Sequence, residues 1–593
     1  MFQSSLSSTP PAVLLPDVID VVSEAGAMIR AEFHRFGGPR GIGSKAPIDI
    51  EVEEFLKVRL LGLHFCGFVG EETDAVHNPS QDIWVVDPQD GTTEFLAGRR
   101  GAAISVALLR NGLPVLGVVY APVAPDDQGD LIAWAEGTNL TRNGLIVRRK
   151  ASDKNIVIAM NADAPSYARH NHDMLNGIRV RAIASPAYRL ALAAAGEVDA
   201  AVSFVAGLEH WDVAGGHALL IGAGCTLVEK SGRPVDYTRA QFNGCIGGSP
   251  NVVATLLELG PRSGTRSDRG GARPRMRVAD AENLSRAQGC LLGHLAGDAL
   301  GSAVEFQSAG EIARSHPTGV TSLSDGGTWD LIAGQPTDDG EMCLALARAI
   351  VSERAFKAAV VGQAYVRWER SGPFDIGITT RKGIKALADG RLSQSDSQAN
   401  GALMRVCPIG IFAAGDPDAA ARLAVEDAAL THPHPICRAA SASYAAAIAV
   451  GISGGTAEDM VSAAERYAGD GSTGKIVRER LRTARYQGPA EYQEQMGWVL
   501  TAFQNAFFHL LQGTPLAKAV SLTVGHGGDT DTNAAICGAL LGACQGRDAI
   551  PLQWRNAVLT CRPVQASGIV HPRPKEYWPD DALELAEALL SAR

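Results

Sequence analysis

Residues 83–95 read IWVVDPQDGTTEF, an apolar run followed directly by a turn that carries two carboxylates. The run at 83–86 predicts a buried strand, and Asp87 and Asp90 follow its carboxyl end, where ligand sites of layered α/β folds lie. These two carboxylates and the carbonyl of Gln89 between them can converge on one point, and oxygen ligands of this kind suit Mg²⁺. Further apolar runs at 102–109, 114–122 and 155–160 alternate with helical patterns. The first part of the chain is therefore predicted to be a layered α/β domain.

Two more acidic segments accompany this turn. GFVGEETD (67–74) contributes Glu71, and HWDVAGGHALLIGAG (210–224) opens a helical pattern with Asp212. Each segment alone is typical of a turn or a helix cap. Together and in this order, over about residues 40–250, the three segments resemble the inositol monophosphatase superfamily, which includes 3′-phosphoadenosine phosphatases. The resemblance implies an αβαβα sandwich that hydrolyses phosphate monoesters. It also implies that two or three Mg²⁺ are held by Glu71, Asp87, the Gln89 carbonyl, Asp90 and Asp212.

The same resemblance implies roles for three further residues. Thr92 and an upstream acid would orient the attacking water. In KAPIDIEVEEFL (45–56) we assign that acid to Asp49, because Asp49 and Glu53 keep the four-residue offset and Asp49 lies 22 residues before Glu71. Glu51 is the alternative. Arg189 falls where nucleotide-specific members carry a lysine, which favours a phosphorylated nucleotide over an inositol phosphate as substrate. The alternative for Arg189 is a surface arginine on a helix.

The second part of the chain is rich in Ala and Leu at helical spacing and predicts an all-α domain, in which Gly538 and Gly542 allow close helix packing. Two clusters of oxygen-bearing side chains stand at predicted helix starts. They are Thr337, Asp338 and Asp339 in the first, and Asp529, Asp531 and Thr532 in the second. Either cluster alone is typical of a helix cap. Because neighbouring carboxylates repel unless a cation compensates, two such clusters facing each other predict a two-metal site.

These clusters are similar to those of the ADP-ribosylglycohydrolase family of the dinitrogenase-reductase-activating type, over about residues 285–580. The motifs that carry the resemblance are GDALGSAVEF (297–306), PTDDGEM (336–342), NGALMRVCPIG (400–410), THPHP (431–435) and GGDTDT (527–532). The resemblance implies that the six clustered residues hold two Mg²⁺ or Mn²⁺ and that a glycosidic bond to ribose is hydrolysed. Glu305 and Asp531 would transfer protons or position water. Gly340 stands where many members have Thr, and Asn533 where they often have an aliphatic residue.

The resemblance also implies which residues line an ADP-ribose pocket. They are Asn400, Gly401, Met404, Arg405 and His432. For His432 the alternative is a buried structural histidine.

Composition fixes the general class of the protein. The 593 residues carry 54 Lys plus Arg against 64 Asp plus Glu, a formal charge of −10, which gives no reason to expect a nucleic-acid partner. The ten cysteines form no C-x-x-C pair, the N-terminus lacks the pattern of a signal peptide, and no run is apolar enough for a lone membrane span. We therefore expect a cytoplasmic protein without a membrane partner, and the sequence leaves the oligomeric state open.

The Arg/Gly-rich stretch RSGTRSDRGGARPRMR (262–277) predicts a linker. It gives a phosphatase domain at 1–260, a linker at 261–283 and a glycohydrolase domain at 284–593. The favoured hypothesis is a bifunctional hydrolase whose halves share a phosphorylated ADP-ribose-type substrate. Two alternatives stay open. The halves act independently on a small phosphate ester and on an ADP-ribosylated target, or the second half binds ADP-ribose without catalysis.

Overall fold

The computed structural model describes residues 9–149, 156–161, 175, 178–204, 207–239, 241–259, 278, 280–565 and 568–592. The chain divides into two compact units between Arg275 and Met276, and the short segment Gln565–Gly568 groups with the first unit. The predicted linker at 261–283 lies outside the described residues except for 278 and 280–283, and a helix begins at Ala281.

The first unit contains two sheets. The larger has seven strands in the described residues, in the spatial order β1 to β7: Gly67–Gly70, Asp82–Asp90, Ala103–Arg110, Leu113–Ala121, Asp130–Ala135, Thr141–Arg142 and Leu145–Ile146. The pair β1 and β2 is parallel and the other pairs are antiparallel. The smaller sheet consists of β8 to β12: Val157–Met160, Arg179–Ala182, Ala200–Ser203, Thr226–Glu229 and Cys245–Gly248, in the order β11-β12-β10-β8-β9.

Six described helices cover these sheets. They are α1 to α6: Pro11–Phe33, Pro47–Leu63, Thr92–Leu96, Pro186–Ala195, His210–Gly222 and Pro250–Glu258. Trp84 and Val86 of β2 face the core under α1 and α2, while Val85 between them faces α4 and α5, which lie between the two sheets. α6 packs on the far face of the smaller sheet. This layering confirms the predicted αβαβα sandwich.

The second unit is helical, and its described residues contain no strand longer than an isolated bridge. Its helices α7 to α14 are Ala281–Gly301, Ala309–Ser315, Asp338–Glu353, Ala358–Arg370, Ile378–Ala388, Cys407–Phe412, Pro417–Thr431 and Pro435–Ile452. Helices α15 to α21 are Ala457–Arg466, Gly471–Ala484, Val499–Leu511, Leu516–Gly525, Thr530–Gln545, Leu552–Leu559 and Ala582–Ser591. The predicted all-α fold is thereby confirmed.

Helices α7 and α19 pack backbone to backbone. α7 has a glycine at every fourth position from Gly289 to Gly301, which places these glycines on one face. A Cβ on Gly538 of α19 would lie 2.1 Å from the Gly293 carbonyl oxygen, and a Cβ on Gly301 would lie 2.4 Å from the Asp531 nitrogen. No side chain fits at these distances. The expected close packing at Gly538 and Gly542 is confirmed, and it fixes the position of the α19 N-terminus.

Among the described residues, helix α14 is long and apolar enough, by length and composition, to cross a membrane. This differs from the expectation that no run would pass such a test. The helix is 83% buried inside the protein, and core helices of soluble proteins pass the same test. α14 therefore serves the second unit as a core helix, in contact with α13 and α15.

Candidate functional sites

The first site lies at the carboxyl end of β2. Carboxylate oxygens of Asp87, Asp90 and Asp212 lie within 4.8 Å of one another. Burial and the neighbouring Glu72 raise the pKa of Glu71, which interacts with Asp87, to about 7, and burial raises the pKa of Asp212 to about 6. The pKa values of Asp87 and Asp90 are also raised, by burial and by nearby carboxylates. Such crowding is relieved by a cation, and an all-oxygen ligand set fits Mg²⁺.

Local hydrogen bonds fix the orientation of two of these ligands. Asp90 Oδ2 accepts the Ser185 hydroxyl at 2.5 Å and the Ala187 amide at 2.7 Å, in the first turn of α4. Asp212 Oδ2 accepts the Glu209 amide at 2.7 Å in a capping box at the start of α5. In both carboxylates the other oxygen remains available for a cation. The cap expected at Asp212 is therefore present, and one capping oxygen does not prevent the other from binding a cation.

Asp49 and Thr92 meet as the sequence predicted. The Thr92 hydroxyl lies within hydrogen-bond distance of two acceptors, Asp49 Oδ2 at 3.1 Å and the Gln89 carbonyl oxygen at 3.0 Å, and can donate its one hydrogen to either. Burial raises the pKa of Asp49 to about 7. Glu51, the alternative acid, is exposed and pairs with Arg40. The geometry thus supports Asp49 over Glu51 as the partner of Thr92.

Two residues at this site have positions that the sequence analysis did not predict. The Gln89 side-chain amide donates to Asp49 Oδ1 at 2.9 Å, so this residue orients the acid as well as offering its carbonyl. Glu53 accepts the backbone amides of Glu72 at 2.9 Å and Thr73 at 2.7 Å, and so holds the loop that carries Glu71. The four-residue spacing between Asp49 and Glu53 was the available signal for the second of these.

Arg189 is buried beside the first site. Its side chain is 2% exposed, and its guanidinium donates to the carbonyls of Ile183 and Ala184 and to the Ser203 hydroxyl. Its positive charge also acts to lower the pKa values of Asp90 and Asp212. The alternative of a surface arginine is therefore wrong, and a role of Arg189 in substrate choice stays a prediction.

Replacing Gln89 by leucine is expected to lower kcat of the first site about tenfold, because Asp49 loses a hydrogen bond worth roughly 1.5 kcal/mol in a buried, charge-assisted setting. The backbone carbonyl of residue 89 remains in place in this variant, so the affinity of the site for a cation should change little. Steady-state phosphate release at several Mg²⁺ concentrations and pH values measures both quantities. Gln81→Leu on the exposed surface serves as the control, and an unchanged kcat and pH profile for Gln89→Leu would contradict the expectation.

The second site lies where the starts of α9 and α19 face each other. The Thr532 hydroxyl donates to Asp339 Oδ2 at 3.1 Å, and the Thr337 hydroxyl oxygen lies 3.3 Å from Asp531 Oδ2. The two helix starts therefore face each other, which is the arrangement on which the two-metal prediction depends. Asp339 Oδ1 is buried without a hydrogen-bond partner. A divalent cation would satisfy that atom, so these residues fit the implied ions.

Asp375 joins this site from the loop before α11 and was missed in the sequence. A carboxylate oxygen of Asp375 lies within 4.8 Å of those of Glu305 and Asp531. Burial and Asp375 raise the pKa of Glu305 to about 8, and burial raises that of Asp375 to about 6. A single acid in the Gly/Pro-containing segment SGPFDIG (371–377) was the only local signal.

Asp298 organises the turn that carries Asp338 and Asp339. Its carboxylate accepts the Thr337 hydroxyl at 2.9 Å and the Gly340 amide at 2.9 Å. A Cβ on Gly340 would lie 2.6 Å from Asp298 Oδ2, so glycine at this position follows from the close approach of Asp298. This contact explains why the chain has glycine at position 340, where many family members have threonine. Nothing in the structure explains Asn533, whose buried side-chain amide has no hydrogen-bond partner.

The predicted ADP-ribose-lining residues divide into two groups. Asn400 reaches the carboxylate cluster and donates to Asp529 Oδ2 at 2.7 Å. Arg405 is fully buried, pairs with Asp427 at 3.0 Å and stacks on Tyr365. Met404 belongs to the hydrophobic core. Arg405 and Met404 are thus structural residues here and not ligand contacts.

His432 is fully buried against Gly401. A Cβ on Gly401 would lie 2.8 Å from the imidazole Cε1, and the imidazole Nδ1 hydrogen-bonds the Thr431 hydroxyl at 2.8 Å. Burial lowers the pKa of His432 to about 3, so its imidazole is neutral at physiological pH. The alternative of a buried structural histidine therefore describes His432, and Gly401 is the backbone against which it packs.

Comparison with known proteins assigns both units. Residues 279–593 match the sequence model of the ADP-ribosylglycohydrolase family, which is more than half of the chain. The chain belongs to the ADP-ribosylglycohydrolase family. Residues 18–257 match the inositol monophosphatase family. The predicted fusion of the two domain types is confirmed, and both families comprise metal-dependent hydrolases.

Three relatives illustrate the match of this ADP-ribosylglycohydrolase-family chain. It is 31% identical to the ADP-ribosyl-[dinitrogen reductase] glycohydrolase of Rhodospirillum rubrum over 45% of this chain and 88% of the relative. It is 28% identical to the inositol-1-monophosphatase of Bacillus subtilis over 40% of this chain and 92% of the relative. It is 32% identical to the 3′(2′),5′-bisphosphate nucleotidase CysQ of Shigella flexneri over 27% of this chain and 63% of the relative.

Divalent cations are expected to stabilise this glycohydrolase-family protein more at neutral than at acidic pH. Folding raises the pKa of Glu71 to about 7 and that of Glu305 to about 8, from 4.5. At pH values between the unfolded-state pKa of 4.5 and these raised pKa values, the cation-free folded state binds more protons than the unfolded state. The free energy of unfolding therefore falls as pH rises through this range. A bound cation replaces those protons on the carboxylates, so the free energy of unfolding no longer falls as pH rises.

Thermal unfolding with and without MgCl₂, at about pH 5.5 and about pH 7.5, measures this difference. NaCl at equal ionic strength controls for screening. An equal rise in the unfolding midpoint at both pH values would contradict the expectation.

Proposed function

We propose that the first unit hydrolyses phosphate monoesters and the second hydrolyses glycosidic bonds of ADP-ribosyl groups, each with Mg²⁺ or Mn²⁺. The observation that carries the proposal is that each unit gathers buried carboxylates from separate elements at the residues of its own family's motifs. Bound divalent cations supply charge neutralisation and water activation in such reactions.

In the first unit the proposed ligands are Glu71, Asp87, the Gln89 carbonyl, Asp90 and Asp212. Asp49 acts as the base, because its buried carboxylate accepts the Thr92 hydroxyl. That hydroxyl keeps a lone pair with which to accept a proton from the attacking water while it donates its own proton to Asp49. Gln89 holds Asp49 in place through its amide.

In the second unit the proposed ligands are Thr337, Asp338, Asp339, Asp529, Asp531 and Thr532, with Asp375 added by the structure. Glu305 is the proposed acid. Trp329 Nε1 donates to Glu305 Oε2 at 2.6 Å, which leaves the other oxygen to carry a proton for the leaving group. Burial keeps that proton bound near neutral pH. Asp531, at the start of α19, positions the water.

We further propose that both units act on one substrate class, an ADP-ribose that also bears a removable phosphate. Relatives of the first unit include a bisphosphate nucleotidase, and a relative of the second is an ADP-ribosyl glycohydrolase, so nucleotide groups are common to the names of both. The phosphate removed and the glycosidic bond cleaved would then belong to the same molecule.

The test is a substrate panel with the full-length protein and Mg²⁺. It comprises 3′-phosphoadenosine phosphate, inositol 1-phosphate, NADP⁺, phosphorylated ADP-ribose and ADP-ribosylated Arg and Ser peptides, with released phosphate and ADP-ribose assayed together. Release of both products from phosphorylated ADP-ribosides supports the shared substrate. Activities on unrelated substrates, retained by separately expressed halves, support independent enzymes. Tight ADP-ribose binding without turnover would leave the second unit as a binding module.

A further inference from the structure

A second, chemically different cluster lies in the core of the second unit. Cys343 Sγ of α9 and Cys407 Sγ of α12 are 3.5 Å apart, and a ring nitrogen of His294 on α7 lies within 4.8 Å of both. Cys290, one turn before His294 on α7, neighbours Cys407. All four side chains are at most 1% exposed. Three helices thus direct two thiols and one imidazole to a single point, and a third thiol, that of Cys290, lies beside them.

This donor set has the composition and the spacing of a soft-metal site. Zinc and similar divalent ions favour tetrahedral sites of cysteine and histidine, with metal–sulfur distances of about 2.3 Å. Ligand sulfurs at that distance in a tetrahedron are about 3.8 Å apart. The observed 3.5 Å separation of Cys343 and Cys407 therefore needs little movement to become one edge of such a site. It is much longer than the S–S bond of a disulfide, about 2.05 Å.

The histidine has the partner that metal-bound imidazoles usually have. His294 Nε2 lies 3.3 Å from the Asp339 carbonyl oxygen, where it can donate its proton. A ligating histidine commonly donates its second ring N–H to a backbone carbonyl, which fixes the tautomer and leaves the other nitrogen for the metal. Here that other nitrogen is Nδ1.

We propose that the second unit binds one zinc-class divalent cation through Cys290, His294, Cys343 and Cys407, separately from its carboxylate site. Binding replaces the thiol protons, which pass to solvent, by the cation, with no change in oxidation state. Because the four side chains are buried, the ion enters while the domain folds.

The position of this ion gives it a structural task. Cys343 follows Asp339 by four residues on α9, which is one helical turn, and His294 contacts the Asp339 carbonyl. The cation would tie α7, α9 and α12 together directly beneath the helix start that carries Asp338 and Asp339. It would act as a support for the carboxylate site and not as a reactant.

Cobalt substitution in the full-length protein tests this proposal. Protein produced in medium supplemented with Co²⁺ and washed with a chelator is expected to retain one tightly bound ion per chain. It should show thiolate-to-cobalt charge-transfer absorption, which ions at an oxygen-ligand site cannot produce. Cys343→Ala should abolish that absorption, and Cys537→Ala, a fully buried cysteine on α19 outside the cluster, should retain it.

Two results would overturn the proposal. One is the absence of thiolate–cobalt absorption in the wild-type protein. This result needs no variant, so it holds even if the variants do not fold. The other is absorption that persists in folded Cys343→Ala and Cys407→Ala, since the ion would then lie elsewhere. Neither result bears on hydrolytic activity, so failure of this proposal is distinguishable from failure of the proposed function.

Discussion

Replacing Asp339 by asparagine is expected to lower ADP-ribosyl hydrolysis at least about a hundredfold and to leave phosphate release unchanged. Asp339 Oδ1 is buried without a hydrogen-bond partner, and Oδ2 accepts the Thr532 hydroxyl. Asparagine keeps the shape but removes the charge that a cation requires. Loss of metal-assisted charge stabilisation costs several kcal/mol, and each 1.36 kcal/mol is about a tenfold change in rate.

The reciprocal variant is Asp90→Asn, which should abolish phosphate release and spare ADP-ribosyl hydrolysis. Asp389→Asn, an exposed acid in the second unit, is the matched control for the charge change. Initial rates of both reactions on all three proteins, with Mn²⁺ titrations, separate lost cation binding from lost turnover. Full ADP-ribosyl hydrolase activity in Asp339→Asn would contradict the assignment of this residue.

Replacing Gly538 by alanine is expected to destabilise the second unit by about 3 kcal/mol or more. The added Cβ would lie 2.1 Å from the Gly293 carbonyl oxygen and 2.8 Å from the Gly293 carbonyl carbon. Both contacts are with backbone, so α7 and α19 must separate, and overpacking of this kind costs about 1–3 kcal/mol or occasionally more. Separation would also move Asp529 and Asp531, so ADP-ribosyl hydrolysis should fall with stability.

Gly362→Ala is the matched control. Gly362 is also a buried helical glycine of the second unit, but its Cβ would meet only the Leu387 side chain at 3.7 Å, an ordinary contact. Alanine there should be neutral or stabilise by up to about 1 kcal/mol, because alanine favours helix over glycine. Urea unfolding followed by circular dichroism, with phosphatase activity as a probe of the first unit, measures both variants. Equal stability of the two variants would contradict the close-packing argument.

Residues that are neighbours in sequence were the ones the sequence located well. Asp87, Gln89, Asp90 and Thr92 lie on one strand end and the turn after it, so their spacing alone brings them together. The doubled acids at the starts of α9 and α19 were found in the same way. Fold class was also predictable, because a periodicity of two or of 3.6 residues is a local property of the chain.

Residues that act across the fold were found only in the structure. Asp375 stands alone in its segment, and Asp298 lies in the GDALGSAVEF motif without a predicted role. Cys290 and His294 share one helix but are far in sequence from Cys343 and Cys407. Arg189, Arg405 and His432 were assigned to ligand contacts because their motifs placed them near the sites. Their side chains are buried in the structure. A sequence motif does not specify whether a long side chain is directed toward the site or into the protein interior.

The sequence by itself determined the two domain types, the order of their motifs and most of the carboxylates, because these depend on local spacing. The tertiary structure decided which of those residues meet. Backbone contact between α7 and α19, together with the bonds from Asp298 of α7 to the start of α9, positions the starts of α9 and α19, which are about 190 residues apart in sequence. Gly538 and Gly542 predict close packing of their helix, but local periodicity does not encode which helix packs against them.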